Sequence, residues 1–445
     1  MALPAVLPIT PFTRPVSGGV IIPGSKSLTN RAMLLAALCK GPVTLQGALF
    51  SEDTALMAEG LRKLGFSVTE DAQTCEIHVQ GQGGTIACEK AEIFVGLAGT
   101  TARFITAFCA AAPSGVFQID GTPQMRKRPM SGLIDALREL KVDIRCLENE
   151  GHLPVEIHAK GLEGGTISID ASESSQMLSA IMMVAPLAKA PITVKLKKAV
   201  REPFVVMTAE LMRQFGIKVE RTQDTTTVYP GKYDTPGSKE TFIVEPDATA
   251  SSYFLTLPLL TGGSLKLKHL SNTSLQGDIA YQAVLKNVGY TITEEADGIV
   301  TEFKAKAGTG VAVNFEEFSD TFLTLAAVTP LLLGPTRISG VEHTRRQETD
   351  RIAGAAKNLI ALGQIVTETE DGLTVTPNKE AMIALAKQGP IELDTYGDHR
   401  FAMSFGILGT YDLLGNGKPW ISIRNPSCCA KTFPHFFELL DSLRS

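Results

Sequence analysis

The chain has 445 residues, enough for two to four domains at roughly 100–200 residues each. Its 42 basic and 47 acidic residues leave a net charge of −5, so no chain-wide positive field points to nucleic acid; 44% hydrophobic and 20% charged residues exclude a disordered chain. No uncharged apolar run approaches the ~20 residues of a membrane span, the opening MALPAVLPITPF lacks the pattern of a secretory signal, and seven Cys without a CxxC pair argue against a disulfide framework or structural zinc. A soluble protein of the reducing cytoplasm is expected.

In chain order, one design recurs: a polar residue, an apolar helix, a strand, a second helix and another strand. Ser27 opens TNRAMLLAAL, followed by VTLQGAL, ALMAEGLRKLG and FSVTE. Thr101 opens ARFITAFCAAA, then VFQIDG, MSGLIDALREL and VDIRC. Ser175 opens QMLSAIMMVAPLA, then ITVKL, VVMTAELMRQFG and IKVER. Ser251 opens SYFLTLPLLTGG, then SLKLKHL, DIAYQAVLKNVG and YTITE. Asp320 opens TFLTLAAVTPLLLG, then TRISG, DRIAGAAKNLIALG and QIVTE. Asp398 opens HRFAMSFGILGTYDLLG, then WISIRN and FPHFFELLDSLRS. These six starts lie 69–78 residues apart. Each first helix is apolar nearly all round and is predicted to be buried; each second helix is amphipathic, as in LIDALREL. The fold class expected is α/β. Three copies plus three predict two similar lobes, 24–245 and 1–23 with 246–445, crossing near Pro23-Gly24 and Pro246-Asp247.

The copies differ most at their polar entries, where chemistry is expected. PGSKSLTNRA puts Lys26 and Ser27 at a helix start with Arg31 one turn on, an arrangement that attracts anions. A nucleotide P-loop is excluded, because Ser25 separates Gly24 from Lys26. FVGLAGTTARF offers Gly96 and Gly99 for close backbone approach, with Thr100 and Thr101 as candidate caps and Arg103 adding charge. Arg126, Lys127 and Arg128 precede Pro129, and Ser174-Ser175-Gln176 supplies neutral donors. Asp320 stands at a helix start. Glu348 in ETDR is expected one helical turn from Arg351. YGDHR gives Asp398, His399 and Arg400, and NPSCCAKTFP gives Lys431. Cations with two carboxylates in one region suit a polyanionic substrate and proton transfer.

PGSKSLTNRA, GLAGTTAR, RKRP, SSQ, EPDATASSYF, SDTFLT, QETDR, YGDHR and AKTFP together resemble the 5-enolpyruvylshikimate-3-phosphate synthase family, the 3-phosphoshikimate 1-carboxyvinyltransferases, across nearly the whole chain. The resemblance implies two lobes, each of three βαβαββ units (an inside-out α/β barrel), with the active site in the cleft between them. It implies transfer of the enolpyruvyl group of phosphoenolpyruvate to the 5-hydroxyl of shikimate 3-phosphate, in a monomer, with no metal or organic cofactor. Lys26, Gly99, Arg128, Gln176 and Lys431 match the phosphate site for phosphoenolpyruvate, and Arg351 and Arg400 its carboxylate clamp. Ser27 and Arg31 match the shikimate carboxylate site, and Ser174 and Ser175 the 3-phosphate site, with Lys26 and Gln176 bordering both substrates. Asp320 resembles the base at the 5-hydroxyl. Glu348 resembles the proton donor to C3, in a division of labour shared with Lys26.

Departures from the family pattern gather at two places. Leu97 replaces the Asn of the Gly-rich loop and Phe104 a common Pro, which implies weakened inhibition by glyphosate, a ligand of the phosphoenolpyruvate site. Around the acceptor, Arg201 replaces Ser, Phe204 replaces Tyr, His343 replaces Asn and Gln347 replaces Lys. These keep open an enolpyruvyl transferase acting on a different hydroxyl acceptor in specialised metabolism. The sister enzyme acting on UDP-N-acetylglucosamine is disfavoured by Ser27 in place of Asn and by the absence of Cys from TPQMRK. A binding module without catalysis is disfavoured by the retention of Lys26, Asp320, Glu348, Arg351, Arg400 and Lys431.

Overall fold

The computed structural model describes residues 3–236 and 240–444. They form two compact units, Gly24–Glu245 and a split unit of the residues up to Pro23 with those from Pro246 on. Among these residues no helix is long and apolar enough to cross a membrane.

In the Gly24–Glu245 unit the helices are α1 (Lys26–Leu38), α2 (Glu52–Lys63), α3 (Gly99–Ala111), the short α4 (Pro123–Arg126), α5 (Ser131–Glu139), α6 (Gln176–Val184) and α7 (Glu202–Gln214). α3 packs against both α1 and α6, and all of its residues are buried, because its Ala, Thr and Phe side chains leave no polar face to turn outward. α2, α5 and α7 are two-faced: in α5, Leu133, Ile134, Ala136 and Leu137 are buried while Asp135 is exposed. α2 begins with a reciprocal cap between Ser51 and Thr54, carries Glu52 and Asp53 in its first turn and Arg62 and Lys63 in its last, matching its dipole.

Each of the first five copies closes with a four-stranded sheet. In the second copy the order is Lys90–Phe94, Gly115–Asp120, Val155–Ala159, Asp143–Cys146, the first pair parallel and the others antiparallel. The third copy repeats this order and directions. The first copy borrows its parallel edge strand, Thr241–Ile243, from the far end of the unit. Alternation sets which face is buried: Val43 and Leu45 pair with Val79 and Ile77, and all four point into the core.

The split unit repeats the plan with α8 (Ala248–Thr261), α9 (Tyr281–Val288), α10 (Phe322–Val328), α11 (Arg351–Ala361), α12 (Lys379–Ala386), α13 (His399–Leu408) and α14 (Phe436–Ser442). α8, α10 and α13 pack on one another inside a continuous apolar cluster that includes Trp420, Phe254, Phe433 and Phe436. Gly19–Ile21 supplies the parallel edge of the fourth copy's sheet. The sixth copy has only three strands, with Val6–Pro8 antiparallel to Ile421–Arg424 where the others end in a hairpin.

The structure adds to the pattern of two strands per copy a parallel strand before most first helices and a second hairpin strand. These are short, three to five residues in Ala312–Asn314 or Gly372–Thr376, and carry too little alternation to stand out. Two first helices also stop earlier than their apolar runs. α6 ends at Val184 and α10 at Val328, and each continues as a 3₁₀ turn containing Pro186 or Pro330, whose missing N–H ends the α-helical ladder.

Phe108 of α3 is fully buried against Phe66, with ring centroids 5.6 Å apart. Phe108→Ala is expected to lower unfolding free energy by about 3–5 kcal/mol, read from urea denaturation.

Candidate active site

In the Gly24–Glu245 unit the charged residues gather at the N-termini of the buried helices. Ser25 caps α1 through Leu28 N, and Lys26 follows as its first residue, its Nζ 3.2 Å from Oδ2 of buried Asp53. Ser27 lies one residue on, and its carbonyl accepts from Arg31 Nη1 at 3.1 Å. Arg31 is buried: its Nε donates to Thr208 Oγ1 at 2.8 Å and its Nη2 reaches Ser179 Oγ at 3.4 Å. Burial pulls this guanidinium below its ordinary pKa. Phe104 compensates in part, its ring centroid 5.1 Å from the Arg31 guanidinium carbon, so the replacement of Pro gives a buried cation an aromatic face.

The α3 entrance is built around glycine. Gly96 has φ +54°, and a Cβ on Gly99 would lie 2.6 Å from Arg103 Nη1 and 2.7 Å from Arg128 Nη1. Only glycine lets two guanidinium groups lie against this helix start. Arg128 Nη1 donates to the Leu97 carbonyl at 3.3 Å. Arg103 binds the Gly99 carbonyl at 2.9 Å, the Pro129 carbonyl at 2.9 Å and Gln176 Oε1 at 3.4 Å, so it joins the starts of α3 and α6 to the Pro129 loop. Burial first, and then the like charge of Arg128, lower its pKa. Thr100 and Thr101 lie inside α3, whose N-cap is Ala98 without a side-chain bond, so neither caps the helix as expected. Arg126 turns to Asp120 and Glu148, and Lys127 is exposed, leaving Arg128 as the member of that basic run directed at the glycine loop. Ser175 is the buried N-cap residue of α6 and Gln176 its first residue, with Ser174 half-buried in the preceding turn. Arg201 stands at the start of α7, its Nη2 3.4 Å from the Glu173 carbonyl.

In the split unit the charges form one network around Arg351, the first residue of α11. Its Nε donates to Asp398 Oδ2 at 2.8 Å, Nη1 to Asp320 Oδ1 at 3.1 Å and Nη2 to Glu348 Oε2 at 2.6 Å. Asp320, in the single turn Ser319–Thr321, also takes Arg400 Nη2 at 2.8 Å, and Glu348 takes Lys431 Nζ at 2.6 Å. Burial disfavours the charge on Arg400, but Asp320 and the groups around it outweigh that and raise its pKa; Arg351 is held charged in the same way, chiefly by Asp398 and Glu348. Glu348 lies in the loop ahead of α11 rather than on its face, because Asp350 is the N-cap, bonded to Ala353 N at 3.0 Å. The Glu348–Arg351 pair forms nonetheless. His343 Nε2 lies 2.8 Å from Ser319 Oγ beside Asp320, and Gln347 is half-buried after the turn Glu342–Arg346. Glu348, Asp398 and His399 present ligand atoms within 4.8 Å of one another. Arg351 and Lys431 already bring positive charge to both of those carboxylates.

Each unit thus presents cations on helix entrances, and the split unit adds three carboxylates held by guanidinium groups. Such an arrangement binds phosphate and carboxylate groups and moves protons. The sequence profile described as EPSP synthase (3-phosphoshikimate 1-carboxyvinyltransferase) matches residues 12–440. A 3-phosphoshikimate 1-carboxyvinyltransferase of Opitutus terrae is 54% identical over all of this chain and 99% of its own length. One from a Nostoc species is 38% identical over 96% of this chain and 97% of its own. In fold the chain is similar to the EPSP synthase of Acinetobacter baumannii (TM-score 0.80, 23% identity, 98% of each chain). It is also similar to the enolpyruvyl transferase NikO of Streptomyces tendae (TM-score 0.75, 18% identity, 98% of this chain and 97% of that one).

Asp53, which the sequence did not single out, holds Lys26; Arg103 joins the starts of α3 and α6 to the Pro129 loop, and Asp398 holds Arg351. Asp398 is fully buried, caps α13 through Arg400 N at 2.9 Å and so fixes both arginines at once. Its only sequence signal is its place ahead of an apolar helix, which reads equally well as a plain cap. Asp398→Asn is expected to cost about 3–5 kcal/mol of stability in equilibrium denaturation, as for a buried ion pair broken from one side. A loss below about 1 kcal/mol, the scale of an exposed pair, would show that Asp398 does not hold Arg351.

Proposed function

This chain belongs to the EPSP synthase family, and we propose how the residues described above carry out that family's reaction. The enzyme transfers the enolpyruvyl (1-carboxyvinyl) group of phosphoenolpyruvate to the 5-hydroxyl of shikimate 3-phosphate and releases phosphate, in the shikimate pathway to chorismate and the aromatic amino acids.

The reaction is an addition followed by an elimination. C3 of the enol gains a proton, the 5-hydroxyl attacks C2 and loses its own proton, and a tetrahedral intermediate forms. Loss of a proton from C3 then expels phosphate. We assign Lys26, Arg128, Gln176 and Lys431, with the Gly99 backbone, to the phosphate of phosphoenolpyruvate, and Arg351 and Arg400 to its carboxylate. Ser27 and Arg31 take the shikimate carboxylate, and Ser174 and Ser175 the 3-phosphate. Arg201, His343 and Gln347 border the acceptor. Asp320 accepts the hydroxyl proton, and Glu348, beside Lys431, gives and later recovers the proton at C3, with Lys26 sharing the transfers. The assignment takes residues from both compact units and requires both to reach one substrate pair.

The observation that carries this reading is the Arg351 network. One guanidinium holds both Asp320 and Glu348, so the proposed base and acid are fixed relative to each other and to a cation suited to a carboxylate. In the split unit, Asp320, Glu348 and Asp398 balance Arg351, Arg400 and Lys431. A substrate bearing phosphate and carboxylate therefore calls for further cations, which Lys26 and Arg128 supply. From the family resemblance we take the active form to be a monomer working in the cytoplasm.

Phosphate release from phosphoenolpyruvate with shikimate 3-phosphate tests the reading directly; release only with another hydroxyl acceptor would favour the acceptor alternative raised by Arg201, Phe204, His343 and Gln347. Asp320→Asn and Glu348→Gln are each expected to lower turnover at least ~10²-fold, the scale of acid–base groups. Near-normal turnover in either removes that residue's role. Leu97 offers no side-chain amide beside Arg128, so the inhibition constant of glyphosate is expected to exceed that of family members with Asn there; an equal constant would count against this.

A further inference from the structure

In five of the six copies a charged residue of the described site stands at the entry to the second helix. Asp53 enters α2 and pairs with Lys26, Arg128 precedes α5, Arg201 starts α7, Arg351 opens α11 and Lys431 precedes α14. In the fourth copy this place belongs to Asp278, in the turn Gly277–Ala280 ahead of α9. Asp278 is 5% exposed, and its Oδ1 is buried with no hydrogen-bond partner among the described residues. A bare buried oxygen is costly on a carboxylate and tolerable on a carboxylic acid. The turn packs against Ser319–Thr321, which carries Asp320, and against α8.

We propose that Asp278 is a positioning residue for the transfer reaction: as a neutral carboxylic acid behind Asp320 and Arg400, it leaves Asp320 as the ionised partner of Arg400. The proposal rests on the transferase reading above. A buried carboxyl group facing a second, partly exposed one does not ionise readily beside its charge, and the one given two guanidinium donors keeps the charge. Asp320 has both donors, so the proton resides on Asp278.

The groups facing Asp278 fit this assignment. Asp247 and Thr249 come from the start of α8, Asp320 from its turn and Arg400 from α13. Tyr281 is the buried titratable group of α9, whose Lys286 is exposed. Burial and then the charge of Asp320 push the Asp278 carboxyl up to about 8; Arg400 pulls it back, and Asp247 adds to the rise. The folded chain therefore binds a proton here that the unfolded chain releases near pH ~4. This group's stabilisation is complete below that pH and is lost as pH rises through about 8. Above that pH a second negative charge beside Asp320 competes for Arg400, and kcat/KM for phosphoenolpyruvate falls.

The test is the pH profile of Asp278→Asn, which keeps the shape and neutrality of the acid. The alkaline limb near pH 8 is expected to disappear while most turnover at pH 7 remains. The gain in Tm over the parent protein should widen from pH 5 to pH 8 and stay level above. Asp247→Asn, which removes a negative charge facing Asp278 and keeps a capping side chain on α8, should move the limb to lower pH. An unchanged limb in Asp278→Asn, or a Tm difference constant between pH 5 and 8, overturns the proposal. If Asp278→Asn does not fold, an unmoved limb in Asp247→Asn overturns it equally. Failure of the transferase reading looks different: the parent protein would release no phosphate with shikimate 3-phosphate, while the Tm comparison would still report the ionisation of Asp278.

Discussion

One buried guanidinium organises the charged groups of the split unit. Arg351 is 2% exposed and donates to three carboxylates carried by three separate elements, those of Asp320, Glu348 and Asp398. An arginine taken out of water is tolerable only when its donors are satisfied, and carboxylates so buried are tolerable only beside a cation. Each therefore depends on the others being in place. The loop of Glu348, the turn of Asp320 and the start of α13 are held in one arrangement by charge rather than by apolar packing.

The other unit meets the same requirement with backbone geometry. The positions proposed for anion binding are helix starts, where unpaired N–H groups already carry partial positive charge, and Lys26, Arg128 and Gln176 lie at or against them. Gly99 matters because a side chain there would collide with Arg103 and Arg128. The helices behind these entrances are buried along nearly their whole length, so the entrances are the places where they can offer polar groups to a ligand. Repetition of one supersecondary unit brings such entrances together, and later divergence decides which carry a cation, a carboxylate or a neutral donor.

Departures from the family pattern fit this frame unevenly. Phe104 stacks on Arg31, so this replacement belongs to the packing around a buried cation; nothing in the structure explains Phe204. His343 bonds Ser319, next to Asp320, and so bears on the orientation of the proposed base. Arg201 reaches the Glu173 carbonyl, next to Ser174.

The sixfold recurrence, the buried character of the first helices and the residues at most of their polar entries were legible in the sequence, because apolar periodicity and polar caps are local properties of neighbouring residues. Tertiary structure alone decided which sheet received the edge strands Gly19–Ile21 and Thr241–Ile243, since strands of three residues pair with partners supplied from far along the chain. It alone decided that Thr100 and Thr101 turn inward while Arg103 links the starts of α3 and α6 to the Pro129 loop. It also decided that Asp53 and Asp278 belong with the charged groups and that Asp398 holds Arg351. A carboxylate's role depends on which cation lies within about 3 Å of it, and in a fold built from long-range contacts that distance is set by packing rather than by separation along the chain.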